Sequence, residues 1–235
     1  VLNDRLAPEH PFPAAIEDAA AAIEHLRGQG QAARNLAIVG DSAGGGLTLA
    51  TALALRDRAV PALAGLVLLS PWLDLSNTHA SYEQVGARDP ILPKADLDRH
   101  AAYDLNGADP RDPRASPIAA ALHDLPAMLV QVGAEELFIG EARDCAARAK
   151  AEGGAVELEI WPEMRHVVQA FADWLPEARD AITRIGAWLQ ARWAERITQE
   201  NDAGIAPRRR FTCRCRCRGW ADAQTHRVST VRRLG

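Results

Sequence analysis

The sequence predicts an α/β protein, a mostly parallel sheet flanked by helices. Three observations carry that expectation. Short apolar runs of strand length alternate with longer stretches of helical spacing through the first 197 residues. One apolar run passes through a tight Gly-rich turn at Gly40 to Gly44 directly into an Ala/Leu-rich helix. The last two strand-like runs are separated by a helix-length segment, a crossover that makes them parallel neighbours.

Taken in order, Pro13 to Leu26 reads as a helix, with Ile16, Ala19, Ala20, Ile23 and Leu26 on one stripe and Gly28 and Gly30 stopping it. Asn35 to Val39 reads as a strand ending at Gly40, and Gly46 to Leu55 as a buried helix. Leu63 to Leu69 is the next strand, closed by Ser70-Pro71-Trp72. Met128 to Val132 and Val156 to Ile160 are two more strands, with Ile139 to Ala151 as the crossover helix between them and Gly153-Gly154 ending it. Phe171, Leu175, Ala178, Ile182, Ile185 and Leu189 recur at helical spacing and predict a long amphipathic final helix from Phe171 to Leu189, with order ending near Ile197. Residues 73–124 are broken by Pro90, Pro93, Pro110, Pro113 and Pro117, with one helix expected from Ala95 to Leu105. Such an excursion between strands covers or shapes a site, so it reads as a partial lid. The domain expected is 1–200, with 73–124 as its lid-like insertion and 201–235 as a disordered tail.

At 235 residues, 48% of them hydrophobic and 25% charged, the chain has material for a sizeable core, which excludes a peptide hormone or a bare repeat. No run of about 18 apolar residues exists, so no membrane association is expected. The net charge of −4 conceals an asymmetry: residues 207–235 hold nine Arg against one Asp, which leaves −12 on the rest. That body argues against a nucleic-acid partner. Cys145 stands alone, and Cys213, Cys215 and Cys217 alternate with Arg, so the four Cys form no disulfide framework and fit a reducing, cytoplasmic compartment. The chain opens at Val1 without a leader-like segment. Oligomeric state does not follow from these residues.

Gly40-Asp41-Ser42-Ala43-Gly44 matches Gly-x-Ser-x-Gly where a strand turns into a helix, the setting of a nucleophile elbow. The competing readings are a plain Gly-rich turn and a phosphate loop, but the Lys that a phosphate loop requires is missing. Ser42 would stand above the sheet's carboxyl edge, and the Ala43 amide, at the helix start, would face a developing oxyanion. A hydroxyl needs a base, and among seven His, His166 follows the last strand by a short loop, where it can reach back over the sheet edge. The carboxylate that orients the base should follow the preceding strand, where Glu135 and Glu136 stand together and either can accept the imidazole N–H.

These residues resemble the α/β hydrolases of the hormone-sensitive-lipase type, the bacterial carboxylesterases and lactone hydrolases. The resemblance rests on Arg5-Leu6-Ala7-Pro8-Glu9-His10 with Phe12-Pro13-Ala14, on GDSAGG at Gly40 to Gly45, on Ser70-Pro71-Trp72, and on Trp161-Pro162-Glu163-Met164 leading to His166. It covers about residues 1 to 195 and implies an α/β-hydrolase fold. Ser42 then matches the nucleophile, His166 the base and Glu135 the acid, where most members carry Asp, with Glu136 as the competitor. Asp41 and Trp72 are candidate substrate-binding residues. The implied reaction is hydrolysis of a small-molecule ester or lactone without metal or organic cofactor.

The family's fold begins with about four strands and a His-Gly-Gly-Gly loop that supplies further oxyanion donors, and nothing here corresponds to either; Asp4 also stands where a Tyr is usual. The expectation is therefore an N-terminally incomplete hydrolase with only the Ala43 amide in its oxyanion hole, a loss worth about 100- to 1,000-fold in rate, so weak or no activity. A bare apolar edge is expected at Leu36 to Val39. The tail reads as a disordered extension, against two rivals: a soft-metal site of Cys213, Cys215, Cys217 and His226, and an Arg-rich nucleic-acid tether.

Overall fold

The computed structural model describes residues 1–86, 89–202 and 228–232, with 195–202 and 228–232 followed by backbone alone. In chain order the elements are α1 (Ala14–Gly28), β1 (Leu36–Asp41), α2 (Ala43–Asp57), β2 (Gly65–Leu69), α3 (Ser81–Val85), α4 (Lys94–Leu105), β3 (Met128–Gly133), α5 (Ile139–Ala151), β4 (Val156–Trp161), α6 (Pro176–Asp202) and β5 (Val228–Arg232). The sheet runs β4-β3-β2-β1-β5. The pairs β1–β2, β2–β3 and β3–β4 are parallel, and β5 pairs antiparallel with β1.

Parallel strands covered on both faces must be apolar throughout, and β2 and β3 are buried at every position. Alternation still decides which helix layer each residue meets. Leu36, Ile38, Leu66, Leu68, Met128 and Val130 share a core with Ile23 of α1, Leu49 and Leu53 of α2, and Cys145 of α5. Their neighbours Ala37, Val67 and Leu129 turn to the opposite face and pack on Trp188, Leu189 and Trp193 of α6. Each fully buried Leu or Ile contributes about 1.5–3 kcal/mol relative to exposure, so this two-sided burial holds the strand ends, and whatever stands on them, in place.

Two expectations change. The final helix begins at Pro176, not Phe171; Phe171 ends a 3-10 turn (Val168–Phe171) whose spacing imitates helical periodicity. Proline suits the first helical turn because its missing N–H has no intrahelical acceptor there. The helix also continues past Ile197 to Asp202. The apolar edge of β1, expected bare, is paired with β5, in a segment expected to lack structure: Leu36 sits opposite Arg232 and Gly40 opposite Val228. Cys213, Cys215, Cys217 and His226, with the metal reading attached to them, lie outside the described residues. The insertion 73–124 contains α3 as well as the expected α4. It folds onto the end of the sheet through a small core of Trp72, Tyr82, Leu97, Leu105, Leu137 and Phe138. No helix among the described residues is long and apolar enough to cross a membrane.

Candidate active site

The turn from β1 into α2 is too tight for side chains on its inner surface. A Cβ built on Gly40 would stand 2.1 Å from the Gly44 carbonyl oxygen and 2.5 Å from Thr48 Oγ1, so only glycine lets the helix approach the strand this closely. Ser42 takes the strain of the bend, with φ 55° and ψ −122°. Its backbone is fixed from both sides: the N–H donates to Leu69 O (2.8 Å), and the carbonyl accepts from Gly45 N–H (2.9 Å) and Trp72 N–H (3.0 Å). Ala43 opens α2, where the first N–H groups have no intrahelical acceptor and the helix dipole favours negative charge.

His166 arrives from the loop after β4. That loop lies against the end of β3 because Gly133 has no side chain; a Cβ there would stand 2.4 Å from Met164 O. Ala134 N–H donates to Trp161 O (2.9 Å) and Glu135 N–H to Met164 O (3.0 Å), which ties the two turns together. The result is a 3.0 Å contact between His166 Nε2 and Ser42 Oγ, 124 residues apart in sequence. The imidazole is only 8% exposed, and the fully buried Phe138 ring meets it edge-on with centroids 5.3 Å apart.

The carboxylate behind the base is Glu136, where the resemblance placed Glu135. Glu136 is fully buried, with Oε1 3.8 Å from His166 Nδ1. Its other oxygen, Oε2, accepts from Ser70 Oγ (2.8 Å) and Gly133 N–H (3.2 Å). Glu135 is half-buried, and its backbone N–H is the group that bonds Met164 O. Burial deepens along the turn after β3, from the half-buried Glu135 to the fully buried Glu136. At 3.8 Å the Glu136–His166 pair is within electrostatic reach but longer than a hydrogen bond.

A cavity of about 210 Å³ opens beside the elbow, lined by Ala43, Gly44 and Leu47 on one side and by Trp72, Leu75 and Asp104 on the other. Trp72, a candidate substrate contact, is one of the residues lining it. Its indole N–H is shared between Asn77 Oδ1 (2.8 Å) and Asp74 O (3.1 Å), and its ring stacks on Phe138 with centroids 6.1 Å apart. Asp41, the other candidate substrate contact, ends β1 half-buried and does not line this cavity. Burial raises the Asp104 carboxyl above its ordinary range. Behind the wall, burial pushes the Glu141 carboxyl up to about 8, against N–H bonds from Leu73 (2.7 Å) and Asp74 (3.1 Å) and the Tyr82 hydroxyl (2.8 Å) that pull it down. Glu141, Ser70 and Phe138 escaped the reading of the sequence; only Ser70 carried a local signal, its place in Ser-Pro-Trp. Among the described residues no group of three or more His, Cys, Asp or Glu is arranged to hold a metal ion.

Comparison with known proteins identifies the fold family. The α/β-hydrolase-fold family model matches residues 2–170. An acetyl-hydrolase of Streptomyces hygroscopicus is 45% identical over 194 residues, covering 83% of this chain and 65% of the relative. An esterase of Acinetobacter venetianus is 34% identical over 181 residues, covering 77% and 60%. Among solved structures, an esterase from the bacterial hormone-sensitive lipase family superposes with a TM-score of 0.80 at 45% identity, over 82% of this chain and 65% of that one. The chain thus spans slightly under two-thirds of the length of these proteins. A family match over most of its residues, with close relatives of one kind, places it in the α/β-hydrolase fold family, among the hydrolases of the hormone-sensitive-lipase type.

Proposed function

We propose that the chain carries the nucleophile, base and acid of a serine hydrolase acting on carboxylic esters. The observation that carries this reading is the 3.0 Å contact of Ser42 Oγ with His166 Nε2 on a strained elbow. In the proposed sequence His166 Nε2 takes the Ser42 proton as Oγ attacks the acyl carbon, and Glu136 stabilises the imidazolium that forms. The Ala43 N–H donates to the tetrahedral oxyanion. Collapse breaks the bond to the alcohol oxygen, which leaves with the proton from His166, and an acyl group stays on Ser42. Water, deprotonated by His166, then attacks that acyl carbon, and the second tetrahedral intermediate breaks its bond to Ser42 Oγ, which takes the proton back from His166 as the acid leaves.

The names of the relatives, acetyl-hydrolase and esterase, support the carboxylic-ester class. A lactone would react by identical steps, its alcohol remaining tethered to the acid. The test is labelling with a serine-directed fluorophosphonate, followed by hydrolysis of p-nitrophenyl acetate and butyrate. The expected result is stoichiometric label that Ser42→Ala abolishes, with acetate or butyrate turned over. A folded sample in which Ser42 takes no label would leave a scaffold without a working site and overturn the proposal.

A further inference from the structure

We propose that Ser70 is a positioning residue, whose hydroxyl holds the acid and the loop bearing the base in register; this rests on the ester-hydrolase reading above. Ser70 follows β2 and is 1% exposed. Its Oγ donates to Glu136 Oε2 (2.8 Å) and accepts from the N–H of Val167 (2.9 Å), the residue next to His166. One hydroxyl therefore bridges the acid, 66 residues away, and the base loop, 97 residues away.

The bridge is directional. Ser70 and Gly133 both donate to Oε2, so the carboxylate is turned with Oε1 toward His166 Nδ1. Among the described residues neither Oε1 nor Nδ1 has a hydrogen-bond partner, which leaves the bonds to Oε2 to set that angle. Val167 sits at φ 49° and Ser70 at φ 45°, both in the left-handed region that side chains seldom adopt. Ser70 N–H donates to Gln131 O (2.7 Å), which anchors this conformation to β3. Two unfavourable backbones thus face each other across a hydroxyl whose donor and one acceptor site are both engaged. Deleting the oxygen would leave a buried Val167 N–H without its acceptor and remove a donor from the acid.

The positive φ allows a clean pair of variants. Ser70→Ala removes the hydroxyl and keeps the backbone strain; Ser70→Gly removes both. Two readouts are taken on each: the rate of fluorophosphonate labelling at Ser42, and the ¹⁵N shifts of the His166 ring, which report which nitrogen carries the proton. The expected result is a loss of about 10- to 100-fold in labelling rate in both variants, with the ring passing from the Nδ1–H tautomer to a mixture. A Gly variant with wild-type rate and wild-type ring shifts would show that only the backbone matters and overturn the proposal, as would wild-type behaviour in both. Should Ser70→Ala fail to fold, Ser70→Gly, freed of the strain, carries the comparison. If wild-type Ser42 takes no label, the ester-hydrolase reading falls, while the ring shifts still decide whether Ser70 orients the Glu136–His166 pair.

Discussion

Glu136 and Glu135 are neighbours of one chemistry, so exchanging each for Gln isolates position from residue type. The charge that Glu136 would stabilise forms on His166 in the transition state, with Nδ1 3.8 Å from Oε1. For unit charges at that separation and an effective dielectric near 20 the attraction is about 4 kcal/mol, which corresponds to roughly a thousandfold in rate. Glu136→Gln keeps the volume and one oxygen but removes the charge, so the second-order rate of Ser42 labelling, and of p-nitrophenyl acetate hydrolysis, should fall by about that factor. Glu135 is half-buried, and among the described contacts the carboxylate that faces His166 Nδ1 is that of Glu136, so Glu135→Gln should cost less rate than Glu136→Gln. Both variants are measured at one pH, with thermal unfolding to show that each is folded. A Glu135→Gln loss equal to or larger than that of Glu136→Gln would refute the assignment and return the acid to the residue that the family pattern names.

Three further outcomes follow from the same geometry. The folded Glu141 carboxyl, pushed up to about 8, holds a proton that the unfolded chain gives up near 4.5, so the contribution of this group to stability is greatest below 4.5 and declines as pH rises between those values. The limiting slope is about 1.4 kcal/mol per pH unit; Glu141→Gln should flatten the change in Tm between pH 5 and 8, and an unchanged slope would contradict the assignment. Asp104 is raised by burial alone, so its ionised form destabilises the fold at pH 8 and its neutral form does not at pH 3; Asp104→Asn should raise Tm at the higher pH only, and a gain of equal size at both would exclude a charge effect. Gly40→Ala must move strand and helix apart by about 1 Å to relieve a 2.1 Å contact, a displacement that costs about 100-fold in labelling even where the protein folds; a variant with wild-type stability and rate would refute the claim that this turn admits only glycine.

What the sequence disclosed and what it withheld divide along one physical line, the distance over which a signal acts. The four parallel strands were legible because strands buried on both faces need continuous apolar runs, and their bounds came within three residues of those observed. The elbow was legible because glycines must stand where a helix and a strand nearly touch, and they sit beside Ser42 itself. The start of α6 was misread because a 3-10 turn ending at Phe171 has nearly the spacing of a helical turn, and Pro176 was the better mark. The choice between Glu135 and Glu136 had no local signal. It is made by Gly133 admitting the Met164 carbonyl and by the Ser70 hydroxyl, contributed by another strand. Ser42, Ser70 and Val167 all hold positive φ and all meet at this one point. Only the first is flanked by the glycines that betray such a bend. The strain at the other two is sustained by contacts between distant segments, so the folded protein carries it where the amino-acid pattern shows nothing.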